Sequence, residues 1–243
     1  MSMQINNNKS YQYNIYHPNF TSCSRDVLNS IGGLMHRNDT SLFRADLNCA
    51  KFVEYLGEKF KDTDKVNLYC LSSSAGDEVY SVIMKLINVL GENESKKFFP
   101  IIASDYDKNI IRLAKDGFLP MYEGDDVIIN KHTNGKFAEY FEKLNDKDIP
   151  SYVNGMDIDY DFIAKVKPIL REKVVFSVAD ATEKCKTLSP DNSIVLARNF
   201  WPYLKDESKR IRFANDLYKN LGDNSAVVIG KYDDNDGAFA SKN

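Results

Sequence analysis

The stretch YCLSSSAGDEVYS, residues 69–81, decides how the rest of the chain is read. An apolar run, VNLYCL (66–71), passes through a Ser/Ala/Gly turn into a segment, Glu78 to Leu90, whose apolar residues recur at helical spacing. A strand, a small-residue turn and a helix in that order bring backbone N–H groups to the carboxyl end of the strand, where open α/β sheets bind ligands. Gly76 lets the backbone pass close to a ligand, because it has no side chain to intrude. The spacing is not G-x-G-x-x-G, and Asp77 and Glu78 at the start of the helix make a poor phosphate cradle because they repel an anion. The same two carboxylates have a purely local use, complementing the helix dipole and its free amides. A ligand with a positive group and hydroxyls suits this turn better than a phosphate.

On both sides of this stretch the texture repeats. FPIIAS (99–104) reads as the next strand, followed by a helix through Ile110, Ile111 and Leu113 to Ala114. VVFSV (174–178), SIVLA (193–197) and AVVIG (226–230) are three further buried strands, and Glu207 to Leu221 is a helix closed by Gly222 at its C′ position. Strands alternating with helices predict a parallel sheet covered on both faces, a doubly wound α/β domain. Towards the N-terminus, Val27, Leu28, Ile31, Leu34 and Met35 give residues 24–36 a helical period, which Gly32-Gly33 weakens. A second helix is expected from Ser41 to Phe60, burying Leu42, Phe43, Leu47, Phe52, Leu56 and Phe60. The first twenty or so residues, rich in Asn, Tyr and Ser, read as a loose arm. Residues 118–172 break the rhythm with Gly124-Asp125-Asp126, Asn134-Gly135, Pro150 and Asn154-Gly155. They are too long for a simple βα connection and are expected to form a small elaboration at the sheet's edge, of the kind that carries partner or substrate specificity.

Composition narrows the function. Lys+Arg 32 against Asp+Glu 35 leaves a net charge of -3, which argues against a broad footprint for nucleic acid. No apolar run approaches the roughly 20 residues that cross a bilayer, and the N-terminus has no apolar core of a secretory signal. Cys23, Cys49, Cys70 and Cys185 show no C-x-x-C spacing, so reduced thiols in a cytoplasmic protein are expected, with neither a disulfide framework nor a metal site.

The second chemical element is IIASDYDKN, residues 101–109. A carboxylate at the carboxyl end of the second strand can accept hydrogen bonds from both ribose hydroxyls, and Asp105 lies at the right remove from the glycine turn. The competing reading, that Asp105 or Asp107 merely caps the helix beginning near Lys108, stands beside it. A glycine turn and a ribose-type carboxylate without a pyrophosphate cradle point towards S-adenosylmethionine rather than NAD.

Five segments, NDTSLFRAD (38–46), YCLSSSAGDEVYSVIM (69–84), IIASDYDKNIIRLAKDGF (101–118), KVVFSVADAT (173–182) and SIVLARNFWPYL (193–204), resemble in order the catalytic region of the CheR-type methyltransferases. That family moves a methyl group from S-adenosylmethionine to glutamate side chains of bacterial chemoreceptors. The resemblance implies a Rossmann-like class I methyltransferase fold over residues 38–243, with 118–172 as an inserted subdomain and 1–37 as an arm and short helical segment. It places cofactor contacts on Asn38, Thr40, Arg44, Glu78, Asp105 and Arg198, with Gly76 and Ala197 completing the pocket. The family's Asn-Leu pair becomes Asp180-Ala181, whose carboxylate can still accept from the adenine amino group. The family's Arg and Tyr near the transferring methyl fall on Arg44 and Tyr203.

Several positions depart from the pattern. The family's E-E-P-Y is Asp77-Glu78-Val79-Tyr80, and Trp201 and Pro202 reshape the surface beside the acceptor. The N-terminal helical domain is reduced to at most one helix, and the chain ends soon after Gly230, where the family has a further strand pair. A carboxylate acceptor is already ionised at neutral pH and needs no general base, whereas an amine or alcohol usually does. Of His17, His36 and His132, only His36, two residues before Asn38, falls with a matched motif. The expectation is therefore O-methylation of a glutamate on a protein, possessing chemoreceptor-like signalling proteins as candidate partners and S-adenosylhomocysteine as product. The rivals are a methyltransferase for another protein or a small molecule, and a non-catalytic relative that binds the cofactor or its product to regulate a partner.

Overall fold

The computed structural model describes residues 15–16, 26–29, 41–44, 47–156, 158–204, 206–230 and 233. In chain order the elements are β1 (Ile15–Tyr16), β2 (Asp26–Asn29), α1 (Cys49–Lys59), β3 (Asn67–Leu71), α2 (Asp77–Ser95), β4 (Ile101–Asp105), α3 (Lys108–Asp116), β5 (Phe118–Met121), α4 (Asp125–Thr133) and α5 (Phe137–Tyr140). They continue with β6 (Phe141–Lys143), α6 (Ser151–Asn154), β7 (Phe162–Val166), α7 (Pro168–Arg171), β8 (Val174–Val178), α8 (Ala181–Lys184), β9 (Ser193–Ala197), α9 (Glu207–Asn220) and β10 (Ala226–Ile229).

Each central strand is apolar along its length because both of its faces are covered. In β3, Leu68 and Cys70 join one core with α1, α2 and α3, while Tyr69 and Leu71 join a second core with α8 and α9. In β9, Ile194 and Leu196 serve the first core, and Val195 and Ala197 the second. The seven-stranded sheet runs β1-β2-β10-β9-β3-β4-β8, parallel except for the β1–β2 pair. This is the doubly wound α/β architecture that the sequence leads one to expect. From β3 the chain steps to β4 and β8 on one side, then returns to β9 on the other. Such a reversal opens a crevice at the carboxyl ends of the strands.

Two readings of the N-terminal half need correcting. Residues Asp26–Asn29 form a strand rather than part of a helix over 24–36, pairing parallel with β10 from Asp26↔Ala226 to Asn29↔Ile229. The open edge of β10 needs backbone partners, and Val27 in a strand meets that need better than a helix interrupted by Gly32-Gly33. The other residues of 24–36 lie outside those described. The second helix begins at Cys49, not Ser41: Asn48 caps it, its side chain accepting from the Lys51 N–H at 3.2 Å, and Phe43 has φ 50°, which no helix accommodates. Leu42, Phe43 and Leu47 are buried all the same, because the turn that holds them docks on α2. Helix α2 extends to Ser95 but is broken at Gly91 (φ 79°, ψ 166°), so its regular part ends where the periodicity fades, at Leu90.

Residues Phe118–Val166 build a separate three-stranded antiparallel sheet, ordered β5-β7-β6. Its helix α4 is fastened to α2 by buried Lys85, whose Nζ donates to the His132 carbonyl at 2.8 Å. The His132 ring stacks on Phe43 at 4.4 Å, so the turn before α1, the helix α2 and the small sheet's helix meet at one point. Gly222 follows α9 without a left-handed φ. Its lack of a side chain is needed instead for close approach, since a Cβ there would lie 2.8 Å from the Pro190 carbonyl oxygen. No helix among the described residues is long and apolar enough to cross a membrane.

Candidate functional site

Four strand ends meet at the crevice. After β3, the turn 72–76 carries positive φ at Ser72 (59°), Ser74 (49°) and Gly76 (108°), a curl that turns backbone N–H groups towards the end of β4. The Ser74 N–H donates to Asp105 Oδ2 at 2.9 Å, and the Asp107 N–H donates to Oδ1 at 3.0 Å. Asp105 is thus a hub between turn and strand, while the cap of α3 is Asp107, whose Oδ1 accepts from Asn109 N–H at 2.7 Å. The two readings of this segment separate cleanly: the helix takes Asp107 and leaves Asp105 for the crevice. A carboxylate has about four lone-pair sites, so two backbone donors leave Asp105 room to accept more.

Gly76 is packed differently from the sequence expectation. A Cβ there would come within 2.9 Å of Phe176 Cζ and 2.9 Å of Tyr80 Cε2, so the close approach it permits is to the protein's own aromatic rings. The Tyr80 hydroxyl is buried with no hydrogen-bond partner among the described residues, and burial pushes its pKa above the usual phenol range.

Glu78, in the first turn of α2, pairs with Arg198, the residue directly after β9. The Arg198 side chain is 2% exposed and that of Glu78 15%, so the carboxylate is the member that reaches the crevice. Cys70 lies beneath, its Sγ donating to Glu78 Oε2 at 3.7 Å, and burial pushes the thiol pKa up to about 12. It is an inert thiol at neutral pH. Asp77 is buried beside this pair. Burial pushes its pKa up to about 7, aided by the negative charge of Asp125 and opposed by its own backbone amide and by Arg44.

Arg44 is half-buried in the turn before α1, which is held on α2 by the Phe43 N–H donating to Ser81 Oγ at 2.8 Å. Asn38 and Thr40 lie outside the described residues. Ala181 begins α8, and Asp180 caps that helix, its Oδ1 accepting from the Thr182 N–H and from Thr182 Oγ1, both at 2.7 Å. Ala179 ties this end to the hub by donating its N–H to the Asp105 carbonyl at 2.9 Å. Ala197 ends β9 with its side chain in the core. Tyr203 closes the turn Trp201–Tyr203 and is 59% exposed. Glu78, Asp105, Arg198 and the turn 72–76 therefore converge, with Asp180 and Ala181 at the adjoining end of β8.

Three neighbours escaped the sequence reading. Tyr106 and Val178 are 78% and 52% exposed, large apolar surfaces on either side of Asp105, and Val178 is the register partner of Asp105 across β4 and β8. Tyr106 stood in plain view beside Asp105, but only the β4–β8 register shows what flanks it. The third is Asp233, beyond the last strand, whose Oδ2 accepts from the N–H groups of Asn199 and Gly230, each at 2.6 Å. Its only sequence signal is an acidic residue shortly after a buried strand. Among the described residues no group of His, Cys, Asp and Glu could hold a metal ion.

This donor set suits a nucleoside that carries an amino-acid end. Asp105 offers acceptors to a diol, the Tyr106 ring and the Val178 side chain offer apolar surface to a base, and Glu78, backed by buried Arg198, offers a negative charge to an ammonium. Asp77 and Glu78 at the start of α2 disfavour a phosphate in the same place.

Comparison with known proteins gives two findings. A family model described as "CheR methyltransferase, SAM binding domain" matches residues 38–238. A chemotaxis protein methyltransferase from Borreliella burgdorferi is 25% identical over 199 residues, covering 79% of this chain and 63% of that protein.

Proposed function

The chain belongs to the CheR methyltransferase family and its cofactor is S-adenosylmethionine, and on that premise we propose that it O-methylates a glutamate carboxylate on a protein, a chemoreceptor-like signalling protein in the cytoplasm. The bound cofactor supplies a sulfonium-activated methyl group. The residues assigned to holding it are Glu78 and Arg198 at its amino-acid end, Asp105 at its ribose, and Asp180, Ala181 and Ala197 around the pocket, with Asn38 and Thr40 from the matched motif. Gly76 shapes the turn by admitting Phe176 and Tyr80.

The observation that carries the acceptor assignment is the placement of Tyr203. It is exposed on the turn five residues beyond Arg198, where a phenol can orient an incoming group without removing a proton. Its partner in this role is Arg44, a cation that attracts a carboxylate. The one imidazole among the described residues, His132, is stacked on Phe43 at 4.4 Å, and burial and Lys85 lower its pKa. A carboxylate acceptor needs no base, so an Arg–Tyr pair suffices for positioning an in-line displacement. The similarity to the chemotaxis protein methyltransferase of Borreliella burgdorferi supports the link to chemotaxis.

The test is transfer of tritiated methyl to a chemoreceptor signalling domain. A methyl ester is expected, released as volatile methanol by mild alkali. Tyr203→Phe and Arg44→Ala are expected to lose at least tenfold in turnover while Tyr203→Phe still binds S-adenosylhomocysteine. Label that survives alkali refutes the ester, and unchanged turnover in both variants refutes the assigned roles.

A further inference from the structure

We infer that Asp233 is a positioning residue, a clamp that joins the ends of β9 and β10 and thereby sets both Arg198 and the turn leading to Tyr203. The inference rests on the site reading above and deepens it. Asp233 is 3% exposed. One oxygen, Oδ2, accepts from two backbone donors at 2.6 Å, the Asn199 N–H after β9 and the Gly230 N–H after β10. The backbone of Trp201 also donates to this carboxylate, and the Arg198 guanidinium lies near enough for its charge to be felt. A single carboxylate therefore holds Asn199 and Trp201 in the segment 198–203.

The local backbone is shaped around this contact. Asn199 has φ 62°, a conformation that side chains seldom adopt without something to hold them there. Gly230 leaves the space the clamp needs, since a Cβ would lie 2.3 Å from Asn199 Oδ1 and 2.7 Å from Asp233 Oδ2. Trp201 Nε1 donates to the Ala197 carbonyl at 2.6 Å, folding the segment back on the strand that precedes it. Arg198 comes immediately before the strained residue and Tyr203 two residues after Trp201. Loosening of the clamp moves the guanidinium that faces Glu78 and the phenol at the acceptor side together.

The chain's single tryptophan sits inside the clamp and reports on it directly. It is 1% exposed, packed edge-on against Phe213 at 4.8 Å. The experiment compares Asp233→Ala and Asp233→Asn with the parent by tryptophan emission, calorimetry with S-adenosylhomocysteine and thermal unfolding. Asparagine retains an oxygen that accepts from both amides, whereas alanine retains none. The alanine variant is expected to show red-shifted emission and at least tenfold weaker binding; the asparagine variant is expected to keep both within threefold of the parent. A folded alanine variant that binds as the parent does overturns the assignment, as does an asparagine variant that loses as much as alanine. If alanine does not fold, Asp233→Ser takes its place, with a red shift and about threefold weaker binding expected and parental affinity overturning the inference. Failure of the parent itself to bind S-adenosylhomocysteine overturns the site reading and the clamp with it, an outcome distinct from any that separates the variants. A wrong acceptor assignment leaves all these measurements untouched.

Discussion

Removal of the Glu78 carboxylate tests the electrostatic centre of the site. Glu78→Ala leaves Arg198, 2% exposed, opposite an empty space instead of an anion. Breaking a buried pair by deleting one partner costs about 3–5 kcal/mol, chiefly because the surviving charge stays out of water. Two features move the expectation to the lower end: Glu78 is itself 15% exposed, and the Arg198 charge is also felt by Asp233. At about 3 kcal/mol, and about 2–4 °C per kcal/mol for a domain of this size, the midpoint of thermal unfolding falls by roughly 6–12 °C. The double variant Glu78→Leu with Arg198→Met replaces both charges by apolar groups of similar length, so it is expected to unfold close to the parent. Calorimetry completes the picture, since the single and the double variant are both expected to bind S-adenosylhomocysteine at least tenfold more weakly. Loss of binding with recovered stability separates the ligand role of the pair from its structural role. A midpoint within about 2 °C of the parent in Glu78→Ala, with unchanged binding, refutes the reasoning.

Gly76→Ala places a Cβ at φ 108° and 2.9 Å from two aromatic rings, so it is expected to destabilise by about 2 kcal/mol or more and to weaken S-adenosylhomocysteine binding in a denaturation and calorimetry series. Gly222→Ala sets a Cβ 2.8 Å from the Pro190 carbonyl oxygen, away from the crevice, and should cost about 1–3 kcal/mol of stability in urea with binding unchanged. Asp77 has its folded pKa raised from 3.8 to about 7, so folding favours its neutral form. Its contribution to stability is therefore lost progressively as pH rises through that window and is flat outside it. Asp77→Asn is expected to flatten the slope of urea stability against pH between 3.8 and about 7, and an unaltered slope sinks the assignment of a neutral Asp77.

How much of this was legible in the sequence depends on what each residue answers to. The strands 174–178 and 193–197 coincide with their elements because continuous apolar runs bounded by turns are what a sheet covered on both faces requires. Asp105 and Arg198 were legible because each stands at the end of such a run, and Glu78 because it opens the helix after the small-residue turn; the topology then brings these ends together. Local periodicity misled where tertiary contact decides. Val27 and Leu28 fit a helix by spacing, yet the unpaired edge of β10 takes them as a strand. Phe43 has an apolar side chain at helical spacing, but its burial is met from a turn that stacks it on His132, a contact 89 residues distant in sequence that no periodicity encodes. Asp233 was invisible for the same reason: an acidic residue after a strand is ordinary until its acceptor is seen to join two strand ends.

If Asp180 faces the cofactor as proposed, it leaves the fold untouched and still alters the pocket. Its Oδ1 caps α8, accepting from Thr182 twice at 2.7 Å. The asparagine of the family pattern would cap equally well with its own side-chain oxygen, so helix formation does not distinguish the two residues. The difference lies in the atom left over. Asparagine leaves an amide donor, whereas Asp180 leaves a second acceptor oxygen on an exposed side chain. An acceptor at the end of β8 suits the exocyclic amine of adenine and repels its ring nitrogens, which are acceptors themselves. On the proposed reading, with an adenine lying against Tyr106 and Val178, the choice of which edge points at β8 falls to Asp180. The cap fixes where the side chain stands, and the leftover oxygen fixes which group it accepts a hydrogen bond from.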